Sequence, residues 1–338
     1  VGKHLAASAL LLSSIGCSGV RSVRGEVIHP AQIPVRSFPR IWVVLPVTPQ
    51  ERSLATALAH HLEGGDAEVD LVELRDLEPL RFAGRIPPAT LVLLPRIEFR
   101  RGSETRWTSR PQTICGSSGC FRTRRSYQYE VPTLLAQATL TVYDGPTATV
   151  RQEARAQTSE EGRDWDVMEN RSVGSLAHEI GQMLDQRVEI VDVELLKVED
   201  EEVTRALSVI DDGDWPSGRR LLEASLDEHR LDAMPVEMRA RALYDLGMAR
   251  LYDRTTLDDP ESHFGSAREA LEAAYALDPE PRYRQATFEV EAHRQRFLAV
   301  QRQEAAREHN YRIGEGIPEP PAAYRESSAD ELSAPSPE

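Results

Sequence analysis

The chain has 338 residues, of which 40% are hydrophobic and 28% charged, and its formal net charge is −15. That length supports two modest domains, and the negative charge argues against general nucleic-acid binding. Only three cysteines occur, and beyond the N-terminal region no stretch approaches the roughly 18 apolar residues of a membrane span.

The charge is unevenly spread. Residues 199–338 carry 31 acidic and 17 basic residues, a net −14. Residues 96–125 carry eight arginines against Glu98 and Glu104, a net +6. A basic island therefore sits inside an acidic chain.

Residues 5–15 are apolar and small, the length of a signal-peptide core and too short to cross a bilayer. The run ends in Ser14-Ile15-Gly16-Cys17. It resembles the lipobox of bacterial lipoproteins, in which small residues precede a cysteine that is acylated once the signal is cut. The resemblance implies a signal peptide over residues 1–16 and a lipid on Cys17; an ordinary secretory signal is the alternative. Ser18, with no Asp at that position, resembles the pattern carried on to the outer membrane. The expected location is thus the outer membrane, lipid-anchored and facing the periplasm. Residues 17–38 read as a tether. Within it "VIHPAQIPV" adds at most one extended segment, because its prolines suit a sheet edge.

A first folded unit spans residues 39–198. Arg40–Val47 is a short continuous apolar run, typical of a strand buried on both faces. Residues 49–63 place Leu54, Ala55, Leu58, Ala59 and Leu62 at helical spacing, and Gly64-Gly65 ends that helix. Ala67–Leu74 reads as a second strand, followed by a short, proline-interrupted helix or turn. Ala89–Arg101 and Tyr129–Gly145 are long strands, and Thr147–Thr158 alternates as a third strand of a meander. Residues 167–186 carry Val173, Leu176, Ala177, Ile180 and Leu184 on one helical face. Arg187–Val198 is β-rich and is expected to return to the sheet. The order predicts an α/β sandwich with a mixed sheet.

The basic island lies between two of those strands, as a long hairpin over residues 96–130. Cys115 and Cys120 flank a Gly/Ser run near its tip. With Cys17 lipidated, two cysteines remain in an oxidising compartment. A zinc site needs about four ligands, and no histidine lies between His61 and His178. A redox pair more often has two intervening residues. The spacing predicts a structural Cys115–Cys120 disulfide, with free thiols as the alternative. Trp107, Phe121, Tyr127 and Tyr129 interleave with the arginines. The candidate partner-binding set is Arg106, Trp107, Arg110, Phe121, Arg122, Arg124, Arg125 and Tyr127. It suits a protein or an anionic envelope partner better than nucleic acid. Ordinary cross-strand aromatic pairing is the plainer reading.

This pattern resembles a group of envelope lipoproteins: the curli-secretion lipoprotein, the lipoprotein activators of peptidoglycan synthases, and the N-terminal domain of the Tol-system propeller protein. The resemblance covers roughly residues 28–195. It rests on "VIHPAQIPV", "RIWVVLPV", "TLVLLPRIEF" leading into the hairpin, "LAQATLTVYDG", and the closing amphipathic helix. It implies a domain that binds partners or oligomerises, with no catalytic residues. The curli channel spans a membrane with apolar hairpins; this hairpin is too polar for that.

A second unit spans residues 199–310. "EALEAAYALDPE" resembles the second helix of a tetratricopeptide repeat, with Ala267, Leu271 and Ala274 at packing positions ahead of Pro279. Leu246-Gly247 match the repeat's first helix, although the spacing is about eight residues too long and Thr255–Ser262 fill the gap. Glu201–Ile210 and Trp215–Glu228 form an earlier helix pair, and a long helix runs from Pro281 to about Glu308. The reading is an all-α tetratricopeptide-like domain, with an irregular bundle as the alternative. Residues 311–338, rich in Pro, Ser and Glu, are expected to be disordered.

Chemical motifs are scarce. His178 begins a zinc-protease-like helix, but Gln182 stands where a second ligand is needed. His60 and His61 are adjacent, so they point to different sides of a helix. No nucleophile elbow, phosphate-binding loop or dinucleotide fingerprint occurs. The expectation is no catalytic residue, no metal, no cofactor and no enzyme activity. The leading expectation is a non-catalytic outer-membrane lipoprotein acting as a scaffold or accessory subunit of an envelope assembly. Its partners are the membrane, through the anchor, and envelope proteins; the sequence leaves its oligomeric state open. A ring-forming secretion component resembling the curli lipoprotein and an envelope hydrolase with an unrecognised site are the alternatives.

Overall fold

The computed structural model describes residues 19–116 and 119–316. Cys17, Ser18 and residues 317–338 lie outside the described residues. In chain order the first elements are β1 (Val20–His29), β2 (Arg40–Leu45), α1 (Pro49–Leu62), β3 (Glu68–Glu73) and α2 (Leu74–Phe82). Next come β4 (Thr90–Gly116), β5 (Gly119–Asp144), β6 (Val150–Glu161), α3 (Trp165–Leu184) and β7 (Arg187–Leu196). The helices α4 (Glu201–Asp211), α5 (Trp215–Ser225), α6 (Glu228–Ala233), α7 (Val236–Tyr252), α8 (Pro260–Leu277) and α9 (Pro281–Gly314) follow.

The chain forms an α/β domain followed by a helical region, as the sequence predicts. The two compact units are discontinuous in sequence. Among the described residues, the α/β unit comprises His29–Arg187 and the chain from Phe297 onward; the helical unit comprises the chain up to Ile28 and Val188–Arg296.

The α/β unit is built on a five-stranded mixed sheet in the order β3-β2-β4-β5-β6. β2 runs parallel to both β3 and β4, whereas β4–β5 and β5–β6 are antiparallel. β2 is apolar on both faces because both are covered. Ile41 and Val43 join a core with Leu54, Leu58 and Leu62 of α1 and Leu176, Ile180 and Leu184 of α3. Trp42 and Val44 pack on the other face with Leu74, Leu77 and Leu80 of α2. β5 alternates: Leu134, Ala136, Ala138 and Leu140 are buried, while the residues between them are partly exposed. Each fully buried leucine of this layer contributes about 1.5–3 kcal/mol. Thr48 caps the start of α1: its hydroxyl accepts from the Glu51 N–H and donates to the Glu51 carboxylate at 2.8 Å.

Two expectations are corrected in this unit. Residues 30–38 are not a free tether. Ile33, Val35 and Phe38 are buried in the core, because the chain here turns its apolar side chains under the sheet. The helical region also does not stop near 308. α9 continues to Gly314, so residues 311–314 are helical. Asn310 donates to the Ser37 carbonyl at 2.9 Å, and Arg40 to the Gly314 carbonyl at 3.4 Å. Those ties hold the last turns in place.

In the helical unit β1 and β7 form a two-stranded sheet of their own. β1 buries Val23 and Val27, with Gly25 between them on the same side. A Cβ at Gly25 would stand 2.5 Å from Cε1 of Tyr252, so glycine is what lets the strand lie against α7. Two further corrections follow. Residues 20–29 are a strand rather than part of a tether, and β7 does not return to the main sheet. Both follow from one pairing, that of β1 with β7.

Much of the acidity of this unit is local chemistry. Asp200, Asp214, Asp227 and Asp259 cap α4, α5, α6 and α8 by accepting backbone N–H groups. Ala267, Leu271 and Ala274 of α8 are fully buried. Gly247 of α7 meets them closely: a Cβ there would stand 2.6 Å from Cγ of Leu271. Asp245 is completely buried. Its Oδ1 accepts the Leu196 N–H at 2.7 Å, which fastens α7 to β7. Among the described residues no helix is long and apolar enough to cross a membrane.

Candidate partner-binding ribbon

β4 and β5 pair without interruption from Leu91↔Asp144 to Gly116↔Gly119. Their neighbours stop much earlier. β2 pairs with β4 as far as Leu93, and β6 pairs with β5 down to Thr133↔Glu161. From Ser103 to Gly116 the hairpin is therefore a two-stranded ribbon, about 45 Å long at 3.4 Å per residue. Cys115 and Cys120 face each other directly and are joined by a disulfide.

The root of the ribbon is fixed to the domain. Arg101 binds Glu169 of α3 at 2.9 Å and its guanidinium lies over the Trp165 ring at 5.1 Å. Glu169 also accepts from Gln50 at 3.1 Å. The Gly162 N–H donates to the Pro132 carbonyl at 3.2 Å.

Register divides the candidate residues between two faces. Cross-strand partners share a face, and successive pairs alternate. Arg106 faces Tyr129, Thr108 faces Tyr127, and Arg110 faces Arg125, all on one side. Trp107 faces Gln128, Pro111 faces Arg124, and Thr113 faces Arg122 on the other. Phe121 occupies the register position opposite Ile114. The eight candidates do not form one cluster. Arg106, Arg110, Arg125 and Tyr127 come together, and Tyr129, absent from the candidate set, joins them. Trp107, Arg122 and Arg124 lie across the ribbon. The missed signal was the cysteine pair: once Cys115 stands opposite Cys120, the register of the whole hairpin follows, including Arg110 opposite Arg125.

The side chains here are open to solvent. Trp107 is 69% exposed, Tyr129 46% and Tyr127 40%. Arg106 is neutralised by Glu104 at 2.7 Å and by Glu161, the last residue of β6. These contacts raise the Arg106 pKa, the hydrogen bond to Glu104 first and that to Glu161 second. No acidic side chain among the described residues partners Arg110, Arg122, Arg124 or Arg125. Arg125 instead lies over the Tyr127 ring at 5.8 Å. Among the described residues the ribbon tip thus carries four cations without an acidic partner, two of them directly opposite each other.

The histidines set aside in the sequence have defined places. His178 and Gln182 sit one turn apart and hydrogen-bond at 2.8 Å. His61 Nε2 meets Asp185 Oδ2 at 2.8 Å, and Arg36 Nε donates to Asp185 Oδ1 at 2.5 Å. Asp185 thereby ties the end of α1 and the turn at Arg36 to the end of α3. A cavity of about 400 Å³ lies beside it. Ser37, which lines that cavity, already donates to the Gln303 carbonyl at 3.0 Å.

No family model matches this chain, and no curated protein matches it. Among solved structures, a PelC dodecamer from Paraburkholderia phytofirmans aligns at 17% identity and a TM-score of 0.27, over 49% of this chain and all of that one. A minor lipoprotein from Acinetobacter baumannii aligns at 11% identity and a TM-score of 0.25, over 44% of this chain and 92% of that one. Likenesses this slight assign no function.

Proposed function

We propose that the protein is a non-catalytic lipoprotein of the outer membrane, facing the periplasm, and that it serves as a scaffold or accessory subunit of an envelope assembly. The β4–β5 ribbon is its partner-capturing arm. The observation that carries this reading is the ribbon itself. An α/β core does not need a 45 Å extension (about 3.4 Å per residue), and this one bears exposed aromatics and arginines that have no acidic partner among the described residues. Surface of that composition is typical of interface hot spots. The paired Cys115 and Cys120 suit an oxidising compartment. The Ser14-Ile15-Gly16-Cys17 run supports the anchor, and several acyl chains on one residue hold a protein stably at a membrane. The helical unit, with Gly247 and Ala267 in close helix contact, supports a tetratricopeptide-like accessory domain.

Two variants test the reading. Cys17→Ser should leave the membrane fraction or remain unprocessed; unchanged fractionation and migration would end the lipoprotein reading. Replacing residues 103–132 by a two-residue turn should leave the core folded and abolish capture of envelope proteins from solubilised membranes. Undiminished capture by that protein would remove the ribbon from the function. The mass in solution separates a single-copy scaffold from a ring-former.

A further inference from the structure

We propose that the open β5 edge of the β4–β5 ribbon accepts an acidic peptide as an added, extended strand. This rests on the ribbon being the partner-capturing arm, and it names the chemistry of the partner.

The chain supplies its own precedent. β6 is a third strand laid along β5, and it ends in Ser159-Glu160-Glu161 where the ribbon begins. Its last residue, Glu161, pairs with Arg106. Beyond that point β5 has β4 on one side and, among the described residues, no strand on the other. An open strand edge presents a row of unpaired backbone donors and acceptors. The arginines that follow, Arg125, Arg124 and Arg122, have no acidic partner among the described residues.

Charge decides which strand fits. Arginines on an open edge repel a second copy of the same edge, which is how sheets avoid self-pairing. An acidic strand removes that repulsion. Side chains on a strand repeat on one face every second residue, about 7 Å apart. Arg122 and Arg124 match that repeat on one face, and Arg125, Tyr127 and Tyr129 match it on the other. A strand laid beside β5 in line with β6 meets an arginine on whichever face its carboxylates lie. With its carboxylates on the Arg125 face, it also sets an acid beside Arg125, whose cross-strand partner is the like-charged Arg110. An anionic polysaccharide could answer the charges but not the backbone edge, so the geometry favours a peptide.

The test uses the full chain and a fluorescein-labelled alternating Glu-Thr dodecapeptide as probe. Binding is read by polarisation at low salt, together with amide exchange over residues 121–131. The expected result is saturable binding with slowed exchange along β5. The quadruple variant Arg110→Ser, Arg122→Ser, Arg124→Ser, Arg125→Ser should bind at least tenfold more weakly with an unchanged melting point. The same peptide N-methylated throughout keeps its charges, loses its donors and should not bind. Equal binding by the methylated peptide, or displacement of the probe by alginate at equal charge, would overturn strand addition in favour of a general polyanion surface. If the peptide fails to bind while excision of the ribbon still abolishes envelope-protein capture, this inference fails and the partner-arm reading stands. Capture that survives excision removes both.

Discussion

Gln303 grips both backbone polar groups of Ala31: its Oε1 accepts the Ala31 N–H at 3.2 Å and its Nε2 donates to the Ala31 carbonyl at 2.7 Å. The pair joins the C-terminal half of α9 to the segment entering the α/β core. Gln303→Leu keeps the helix and strands two partly buried backbone groups. The expected loss is about 1–3 kcal/mol, read as a lowered denaturant midpoint. A midpoint matching the wild type would mean that α9 is not held there.

Gly247 and Gly265 are both helical glycines, yet they should respond in opposite directions. A Cβ at Gly247 would meet Leu271 at 2.6 Å, whereas nothing stands within 4 Å of one at Gly265. Gly247→Val should destabilise by about 1–3 kcal/mol through overpacking. Gly265→Ala should stabilise by roughly 0.5–1 kcal/mol by restricting the unfolded chain and favouring helix. The whole chain must be used for both, because a fragment of residues 199–310 lacks β1 and β7. Two variants that melt alike would refute the α7–α8 packing.

Asp245 should make the helical unit sensitive to pH. Burial pushes its carboxyl well above the ordinary 3.8, with the Leu196 N–H and Arg241 pulling it down by less. Because the folded value is the higher one, the group's stabilising contribution is complete below the unfolded value. It is lost as pH rises through the folded value. Asp245→Asn keeps the acceptor for Leu196 and cannot ionise. Its melting point should exceed that of the wild type at pH 7, and the gain should shrink toward pH 4. A gain independent of pH would show that ionisation of Asp245 plays no part.

The Cys115–Cys120 bridge should matter to the tip and not to the core. It joins residues five apart in sequence at the far end of the ribbon. Closing so short a loop is worth roughly 2 kcal/mol by chain entropy, and that amount belongs to the ribbon. The double Cys→Ser variant should keep the global unfolding midpoint while proteolysis near residues 113–122 accelerates. A midpoint that falls by several degrees would mean that ribbon and core unfold together.

The main sheet was legible because its strands and helices obey simple periods. Leu134, Ala136, Ala138 and Leu140 alternate, and Leu54, Leu58 and Leu62 repeat at helical spacing. β1 obeys the same alternation, with Arg24 and Glu26 between Val23, Gly25 and Val27, but it has few apolar side chains and follows directly on the expected anchor, so it reads as a tether. The placement of β7 was hidden because its partner lies far away in sequence, and local pattern carries no information about pairing. The ribbon residues were recognised as a group, but grouping by sequence ignores parity. A strand turns alternate side chains to opposite faces, so Trp107 and Arg106, adjacent in the chain, serve different surfaces. Gln303 had no local signal at all, since its partner is a backbone.

The pairing of β1 with β7 also sets a schedule for the growing chain. β1 is made first, and its partner follows only after the whole sheet, both core helices and the ribbon have been synthesised. At about 5–20 residues per second, the intervening stretch of roughly 160 residues keeps β1 waiting on the order of ten to thirty seconds. During that interval a ten-residue strand has no hydrogen-bonding partner of its own. The nascent protein therefore has a window in which its N-terminal segment is open to chaperones and processing enzymes, and the arrival of Arg187–Leu196 closes it.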